Sequence, residues 1–159
     1  MEIIELDKNG LAFVPIFIKP SNKYIYRQIL FKLDTGAGIT TISKKSLNLL
    51  GYNDNWIENN TVIGPIKEVS SAGRGFEPAH CVVLPRSTLF GKALNNWPYY
   101  IRPEHDRDYR NLLGVDILSH FEFTFSYRTG TLKMEPIDSS AVLLPMLPEQ
   151  SIDELTPDL

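Results

Sequence analysis

Cysteine is almost absent from this 159-residue chain, which contains only Cys81. A single cysteine cannot form an internal disulfide, and it offers no spacing of thiol ligands for a metal. A strong charge of one sign is also missing, because 16 basic and 19 acidic residues are well mixed and give a formal net charge of −3. The chain therefore gives no reason to expect a nucleic-acid partner or a cofactor.

Long apolar runs are missing as well. No segment approaches the roughly 20 apolar residues that a helix needs to cross a bilayer, so we expect no membrane partner. The start, residues 1–7, lacks the basic residues and apolar run of a signal peptide, and a cytoplasmic location is the default expectation. A hydrophobic content of 43% is sufficient for one compact domain with a real core.

The most informative stretch is residues 31–43, Phe-Lys-Leu-Asp-Thr-Gly-Ala-Gly-Ile-Thr-Thr-Ile-Ser. Apolar residues alternate with Lys32, as in a half-buried strand, and the glycines that follow Asp34 are predicted to break that strand by adopting unusual backbone angles. The strand thus delivers one carboxylate to an exposed turn. Asp-Thr-Gly is also a good tight turn by itself, because Asp can cap its own backbone, so the tripeptide alone does not decide between a loop and a catalytic site.

A second segment, residues 111–118 (Asn-Leu-Leu-Gly-Val-Asp-Ile-Leu), strengthens the functional interpretation. Together the two segments resemble the retropepsin-like aspartic proteases, whose catalytic loop reads apolar-Asp-Thr-Gly-Ala. In that family, two apolar residues and a glycine before a short helix brace the loop from behind. The resemblance implies an all-β, closed barrel-like fold with two short helices, and an aspartic endopeptidase that needs no metal or other cofactor.

The resemblance also assigns roles to individual residues. Asp34 would be the catalytic carboxylate, and Thr35 would hydrogen-bond across a dimer. The residues implied to contact substrate are Thr35, Gly36, Ala37, Gly38, Ser71, Ala72 and Gly73, and those implied to support the site are Thr35, Leu113 and Gly114. The chain departs from the retroviral enzymes at Gly38 and Ile39, where those enzymes have acidic residues. Asp116 is interpreted only as an acidic residue near a helix N-terminus.

One chain has one Asp-Thr-Gly, whereas aspartic proteases use two carboxyl groups. The resemblance therefore implies a homodimer in which a second copy supplies the other Asp34, acting on a peptide or protein in an extended conformation. Two alternatives stay open. The chain could be a catalytically silent dimeric module that binds peptides, or a protease whose cleft is covered by residues 86–110 or by the acidic tail.

The remaining elements follow from turn signals and periodicity. Residues 2–19 are predicted to form a hairpin around Asn9-Gly10, and residues 44–50 a helix capped by Ser43 and stopped by Gly51. Residues 52–61 read as a loop. Residues 61–84 read as two strands with a glycine-rich tip, which the resemblance identifies as a flap over the substrate, and Leu84-Pro85 is predicted to end the second strand.

The last third of the chain is less regular. Residues 86–110 are interpreted as a loop in which Trp97, Tyr99 and Tyr100 pack on the edge of the core, and their acidic residues and His105 do not suggest a metal site. A short helix over 116–121, a strand over 121–127 and a returning strand over 131–134 follow. The expected domain spans residues 1–136. Residues 137–159 would be a partly flexible extension, in which residues 141–145 could add a strand.

Overall fold

The computed structural model of the chain describes residues 1–71, 75–101 and 111–145, with the side chains of residues 65–78 left undescribed. The strands are β1 (Glu2–Glu5), β2 (Phe13–Ile18), β3 (Arg27–Leu33), β4 (Thr41–Ile42), β5 (Val62–Ser71), β6 (Gly75–Leu89), β7 (Lys92–Ile101), β8 (Asn111–Leu113), β9 (Phe121–Ser126), β10 (Thr131–Pro136) and β11 (Val142–Leu143). The helices in the described ranges are α1 (Lys44–Leu49), α2 (Asp54–Asn60) and α3 (Val115–Leu118).

Six strands close into a mixed barrel in the order β7-β4-β8-β3-β2-β6, and pairing of β6 with β7 completes the ring. The β3–β8 and β4–β7 pairs are parallel, whereas the other pairs in the ring are antiparallel. Strand β5 extends β6 outward, and β11 adds to β7. The predicted all-β fold with a closed barrel is confirmed.

The barrel is filled by side chains that alternate inward along its strands. In β2, Val14, Ile16 and Ile18 are completely buried while their neighbours remain partly or fully exposed, which is the period of two expected for a strand with one buried face. The largest fully buried side chains are Trp97, Tyr99, Phe31, Ile16, Ile18, Ile42, Leu47, Leu50, Leu84, Leu89, Leu94 and Leu113. The strands and helices next to Asp34 contribute Leu33, Ile42, Leu113 and Ile117 to this main core, while Ile39 belongs to a second, smaller cluster with Ala79, Cys81 and Tyr100.

The predicted hairpin around Asn9-Gly10 is wrong in its pairing. A turn does form there, with Gly10 at a φ of 77°, but β1 pairs antiparallel with β10 and not with β2. The carboxylate of Asp7 accepts hydrogen bonds from the amides of Asn9 and Leu11, which shapes a wider loop than a two-residue hairpin turn. As a result β1, β10 and β9 form a separate three-stranded sheet.

The first predicted helix is confirmed. Ser43 caps α1 by accepting a hydrogen bond from the amide of Ser46 at 3.1 Å, and Gly51 follows the helix at a φ of 86°, which favours glycine. The short helix predicted over residues 116–121 is present as α3 but is shorter, since it spans Val115–Leu118 and a turn at residues 119–120 leads into β9.

The loop predicted over residues 52–61 is wrong, because α2 lies there. Asn53 caps α2 by accepting from the amide of Trp56 at 2.8 Å. The rings of Tyr52 and Trp56 pack with centroids 4.2 Å apart, and Ile57 is buried. The many asparagines hid the helix, although an Asn cap followed by an acidic first turn was a usable signal.

The loop interpretation of residues 86–110 is wrong for its first half, where β6 and β7 form a long hairpin. Strand β6 continues past Pro85. Leu84 pairs with Trp97 and Arg86 pairs with Asn95, while Pro85 has no partner in the β6–β7 register. On β7, Asn96 lies between the partners Asn95 and Trp97 and has a φ of 49°. The amide hydrogen that Pro85 lacks therefore falls where the β6–β7 pairing is irregular. Trp97, Tyr99 and Tyr100 are buried strand residues. Residues 102–110, including Glu104, His105, Asp106 and Asp108, lie outside the described residues.

The segment after β10 returns to the barrel. Strand β11 pairs in parallel with β7 at Ala93 and Leu94, and Leu143 is buried. The strand suggested for residues 141–145 is therefore present, while residues 146–159 lie outside the described part. In the described ranges, no helix is both long enough and apolar enough to span a membrane.

Candidate active site

Asp34 lies immediately after β3, where the chain leaves the barrel. Its amide donates to the carbonyl of Leu113 at 3.0 Å, which continues the parallel β3–β8 pairing by one residue. The side-chain Oδ1 accepts from the amide of Gly36 at 2.9 Å, and the carbonyl accepts from Ala37 at 3.2 Å. The turn is thus closed on itself by Asp34, and the carboxylate remains only partly buried.

The residues after Asp34 face outward in the single chain. Thr35, Gly36 and Gly38 are exposed, and Ala37 is partly exposed. We call residues 34–40 the Asp34 loop. A threonine exposed beside a carboxylate at a strand end is available to contact another molecule, which is compatible with the role that the resemblance implies for Thr35.

The reason predicted for the two glycines of this loop is wrong. Neither Gly36 nor Gly38 adopts a positive φ, so the turn does not need their special backbone freedom. A Cβ on Gly36 would lie 3.2 Å from Asp34 Oδ1, and a Cβ on Gly38 would meet nothing within 4 Å. Gly36 therefore makes room for the carboxylate, whereas nothing in the described chain requires glycine at position 38.

Gly114 is pressed against the back of the Asp34 loop. A Cβ there would lie 2.4 Å from the carbonyl oxygen of Ile39 and 2.9 Å from that of Ala37, so only glycine fits without a backbone shift. Leu113, fully buried beside it, supplies the carbonyl that holds Asp34. The structure thus brings the predicted support residues Leu113 and Gly114 into direct contact with the loop.

The first turn of α3 completes this contact. The amide of Val115 donates to the carbonyl of Ala37 at 2.8 Å, and that of Asp116 donates to the carbonyl of Gly38 at 3.3 Å. Two consecutive loop carbonyls are therefore held by amides that have no partner inside the helix.

Sequence reasoning missed Thr40, the last residue of the Asp34 loop, which is completely buried. Its hydroxyl donates to Asp116 Oδ1 at 2.6 Å and accepts from the amide of Gly114 at 3.1 Å. Asp116 does lie in the first turn of α3, as predicted, but its side chain turns back toward the loop. A threonine inside a β-branched run looks like an ordinary strand residue, so only the acidic partner 76 positions later could have indicated the pair.

Burial raises the pKa of Asp116 above its ordinary value of 3.8, because the carboxylate loses hydration although the residue as a whole stays partly exposed. Hydrogen bonds from Thr40 and the amide of Ile117 oppose this rise. The indole N–H of Trp97 also lowers the pKa by its proximity, yet within the described residues it makes no hydrogen bond of ordinary geometry. Burial also raises the pKa of the neighbouring Tyr99 strongly.

The residues that were predicted to form a flap fall on the hairpin of β5 and β6. Ser71 is the last residue of β5, while Ala72 and Gly73 lie outside the described residues. The ladder is regular on both sides of an irregularity between Ile63 and Glu68. There Gly64 crosses so close to Tyr100 and Cys81 that a Cβ would lie 2.7 Å from the Tyr100 hydroxyl and 2.9 Å from Cys81 Sγ. The base of the hairpin is thus seated on β6 and β7.

Metal chemistry finds no support in the described ranges, where no group of three or more His, Cys, Asp or Glu side chains could hold an ion. Cys81 is buried, and burial raises the pKa of its thiol, so it is a poor nucleophile.

Comparison with known proteins bears on the fold. No family model matches the chain, and no curated protein matches it. Among solved structures, a retropepsin-like aspartic protease from Rickettsia conorii is similar, with a TM-score of 0.57 and 21% identity over 82% of this chain and 86% of that one. The retroviral protease-like domain of Ddi1 from Leishmania major aligns with a TM-score of 0.46 and 16% identity, over 87% and 95% of the two chains. The chain has the retropepsin-like fold.

Proposed function

We propose that this retropepsin-like chain is an aspartic endopeptidase that hydrolyses peptide bonds in an extended peptide. The observation that carries the proposal is the position of Asp34, at the end of a barrel strand, in a loop held from behind by Leu113 and Gly114. A loop needed only as a turn would not require this bracing. Asp34 also stays partly exposed, as a residue that must meet water and substrate should.

The chemistry requires a second carboxyl group. In aspartic proteases, one carboxylate activates a water molecule while the other, protonated, polarises the scissile carbonyl. Two carboxyl groups about 3 Å apart cannot both ionise and therefore share one proton, as is general for these enzymes. In our proposal, Asp34 of a second copy supplies the other carboxyl group across a two-fold axis.

The outward orientation of residues 35–38 supports this arrangement. Thr35 and Gly36 are exposed in the single chain, so a second copy could approach the turn along its open side. In the dimer, Thr35 would hydrogen-bond between the two loops and hold the carboxylates in register. Gly36, Ala37 and Gly38 would leave room for the backbone of the substrate.

An extended substrate fits the hairpin of β5 and β6. This hairpin reaches beyond the closed barrel, since β5 pairs with β6 and lies at the end of the sheet order. Its far end, at Ser71, would cover a bound peptide and offer backbone groups to it. Main-chain hydrogen bonds of this kind recognise an extended conformation and leave the choice of sequence to side-chain pockets.

The test is cleavage of a diverse peptide mixture between pH 4 and pH 8 by the wild-type chain and by Asp34→Asn. Asparagine keeps the hydrogen bond to Gly36 but cannot act as acid or base, so we expect the fold to persist and cleavage to fall by at least about 10³-fold. Circular dichroism and the association state of both proteins serve as controls.

Cleavage that survives in Asp34→Asn would contradict the proposal. If the wild-type protein is dimeric and cleaves nothing, the alternative of a silent peptide-binding module is favoured, and capture of the same peptides without cleavage would support it. Removal of residues 146–159 separates a third case: cleavage that appears only after truncation would mean that the acidic tail covers the site.

A further inference from the structure

Thr40 and Asp116 meet behind the Asp34 loop and are absorbed by none of the roles above. Thr40 Oγ1 lies 2.6 Å from Asp116 Oδ1 and 3.1 Å from the amide nitrogen of Gly114. An amide can only donate, so the Thr40 hydroxyl accepts from Gly114, and its single proton is left to donate to Asp116 Oδ1. The directions of both hydrogen bonds are thereby determined.

Asp116 holds the loop at a second point. Its amide donates to the carbonyl of Gly38, while its Oδ1 also accepts from the amide of Ile117 at 2.9 Å. The same residue thus contacts the loop at Gly38 through its backbone and at Thr40 through its side chain. Between these points, the carbonyl of Ile39 lies against Gly114, where no Cβ could fit.

From these contacts we infer that Thr40 and Asp116 are a pair of positioning residues that hold the backbone of residues 37–40 in place and so orient Asp34. The connection is short, because Ala37 donates to the carbonyl of Asp34 and Gly36 donates to its carboxylate. A shift of residues 37–40 is therefore transmitted to the carboxylate. The inference rests on the proposed function for its catalytic meaning, although the contacts can be tested without it.

The pair differs from ordinary core packing in what it satisfies. Thr40 is 0% exposed, so without its hydroxyl the amide of Gly114 would be buried without a partner. Valine has nearly the shape of threonine but no hydroxyl, and serine has the hydroxyl without the methyl group. Asparagine at position 116 keeps an oxygen that can accept from Thr40, whereas alanine does not.

The experiment compares Thr40→Val with Thr40→Ser and Asp116→Ala with Asp116→Asn. A peptide that the wild-type enzyme cleaves gives kcat and KM, and amide hydrogen exchange gives the opening of Gly114. We expect Thr40→Val and Asp116→Ala to lower kcat on the order of 10- to 100-fold with little change in KM, because a small misplacement of reacting groups has that cost. The amide hydrogen of Gly114 should exchange about 10-fold faster or more in both of these variants than in the wild type. Thr40→Ser and Asp116→Asn should keep both kcat and the exchange rate of the Gly114 amide near the wild-type values.

Thr61→Val is the matched control. The hydroxyl of Thr61 donates to the carbonyl of Ile57 at 2.6 Å at the end of α2, so its loss removes a comparable hydrogen bond away from the Asp34 loop. This variant should leave kcat and the exchange of Gly114 unchanged. A fall of kcat in the control that matches the fall in Thr40→Val would indicate a general loss of stability and overturn the inference.

Wild-type kcat and exchange in both Thr40→Val and Asp116→Ala would also overturn it. If Thr40→Val does not fold, the comparison of Asp116→Ala with Asp116→Asn decides by the same criteria. If neither the wild-type chain nor the chain without residues 146–159 cleaves any peptide, the proposed function fails on that result. The exchange of Gly114 then still tests the pair, and unchanged exchange in the Val and Ala variants would refute it.

Discussion

Gly114 and Gly38 show how the same residue type serves different purposes on the two sides of the Asp34 loop. At Gly114 the absence of a side chain allows a backbone contact that no other residue could make, since a Cβ would overlap the Ile39 carbonyl. At Gly38 the single chain has open space. Packing within the chain therefore does not require glycine at position 38, and such a requirement could only come from another molecule that contacts the loop.

Gly114→Ala is therefore expected to lower the free energy of unfolding by about 3 kcal/mol, because the backbone of β8 and the loop must separate. Gly38→Ala is expected to change it by less than about 0.5 kcal/mol. Urea denaturation of the two variants measures both values. Equal effects of the two substitutions would contradict the packing described for Gly114.

Asp116 makes the stability of the chain depend on pH. Its pKa is raised in the folded protein, above the ordinary value of 3.8, so the folded state holds the proton more tightly than the unfolded state. The stability that this group contributes is complete at low pH and is lost as the pH rises through the folded-state pKa. The groups facing it are Thr40, Trp97 and Tyr99.

Asp116→Asn removes this titration. The difference in free energy of unfolding, variant minus wild type, should increase as the pH rises from about 4, and it should level off above the folded-state pKa. Urea denaturation at half-unit pH intervals measures the difference. A difference that is constant, or that falls with rising pH, would show that burial does not dominate the pKa of Asp116.

Among the elements, α2 and the β6–β7 hairpin show how tertiary contacts select structure from a weak local signal. Helix α2 is only seven residues long and would not be stable alone. The cap at Asn53, the packing of Tyr52 on Trp56 and the burial of the helix's own Ile57 hold it in place. The hairpin contains Pro85 and Pro98 and still joins the barrel, because its aromatic side chains are buried.

Asn53→Ala should destabilise the protein by about 1 kcal/mol, since it removes the side-chain acceptor for the amide of Trp56. Asn59→Ala, at an exposed position of the same helix, should be neutral or slightly stabilising, because alanine favours helix. Thermal denaturation of both variants provides the comparison. No loss in Asn53→Ala would mean that packing alone determines where α2 begins.

At the scale of the whole molecule, one chain contains half of the proposed site. This half is supported from behind and is accessible from the front. Everything behind Asp34 comes from one copy: the β3–β8 pairing, Gly114 and the first turn of α3. The face in front of Asp34, where Thr35 and Gly36 are exposed, is open in the described chain. The proposed activity therefore depends on association of two copies.

Specific activity should fall on dilution, in step with the fraction of dimer measured by sedimentation at the same concentrations. Adding an excess of Asp34→Asn protein to the wild-type enzyme should also lower activity, because mixed dimers contain one competent carboxyl group. Constant specific activity at concentrations where the chain is monomeric would contradict a site shared between two copies.

The sequence by itself determined the features that depend on near neighbours. Alternation predicted β9, a serine and a glycine predicted the ends of α1, and the apolar run before Asp34 predicted a strand leading into a turn. The resemblance carried by two short segments predicted the closed barrel, which the structure confirms. Residues 34–38 of the Asp34 loop and the support residues Leu113 and Gly114 were predicted as well, whereas Thr40 was not.

Only the tertiary structure decided which distant segments meet. The pairing of β1 with β10 joins residues 2–5 to residues 131–134, and no local pattern distinguishes it from the hairpin that Asn9-Gly10 suggested. The contact of Thr40 with Asp116 spans 76 residues, and each side chain alone looks ordinary. Turns and caps are set by bonds within a few residues, whereas strand order and buried polar pairs depend on closure of the whole barrel, which is why the sequence could not reveal them.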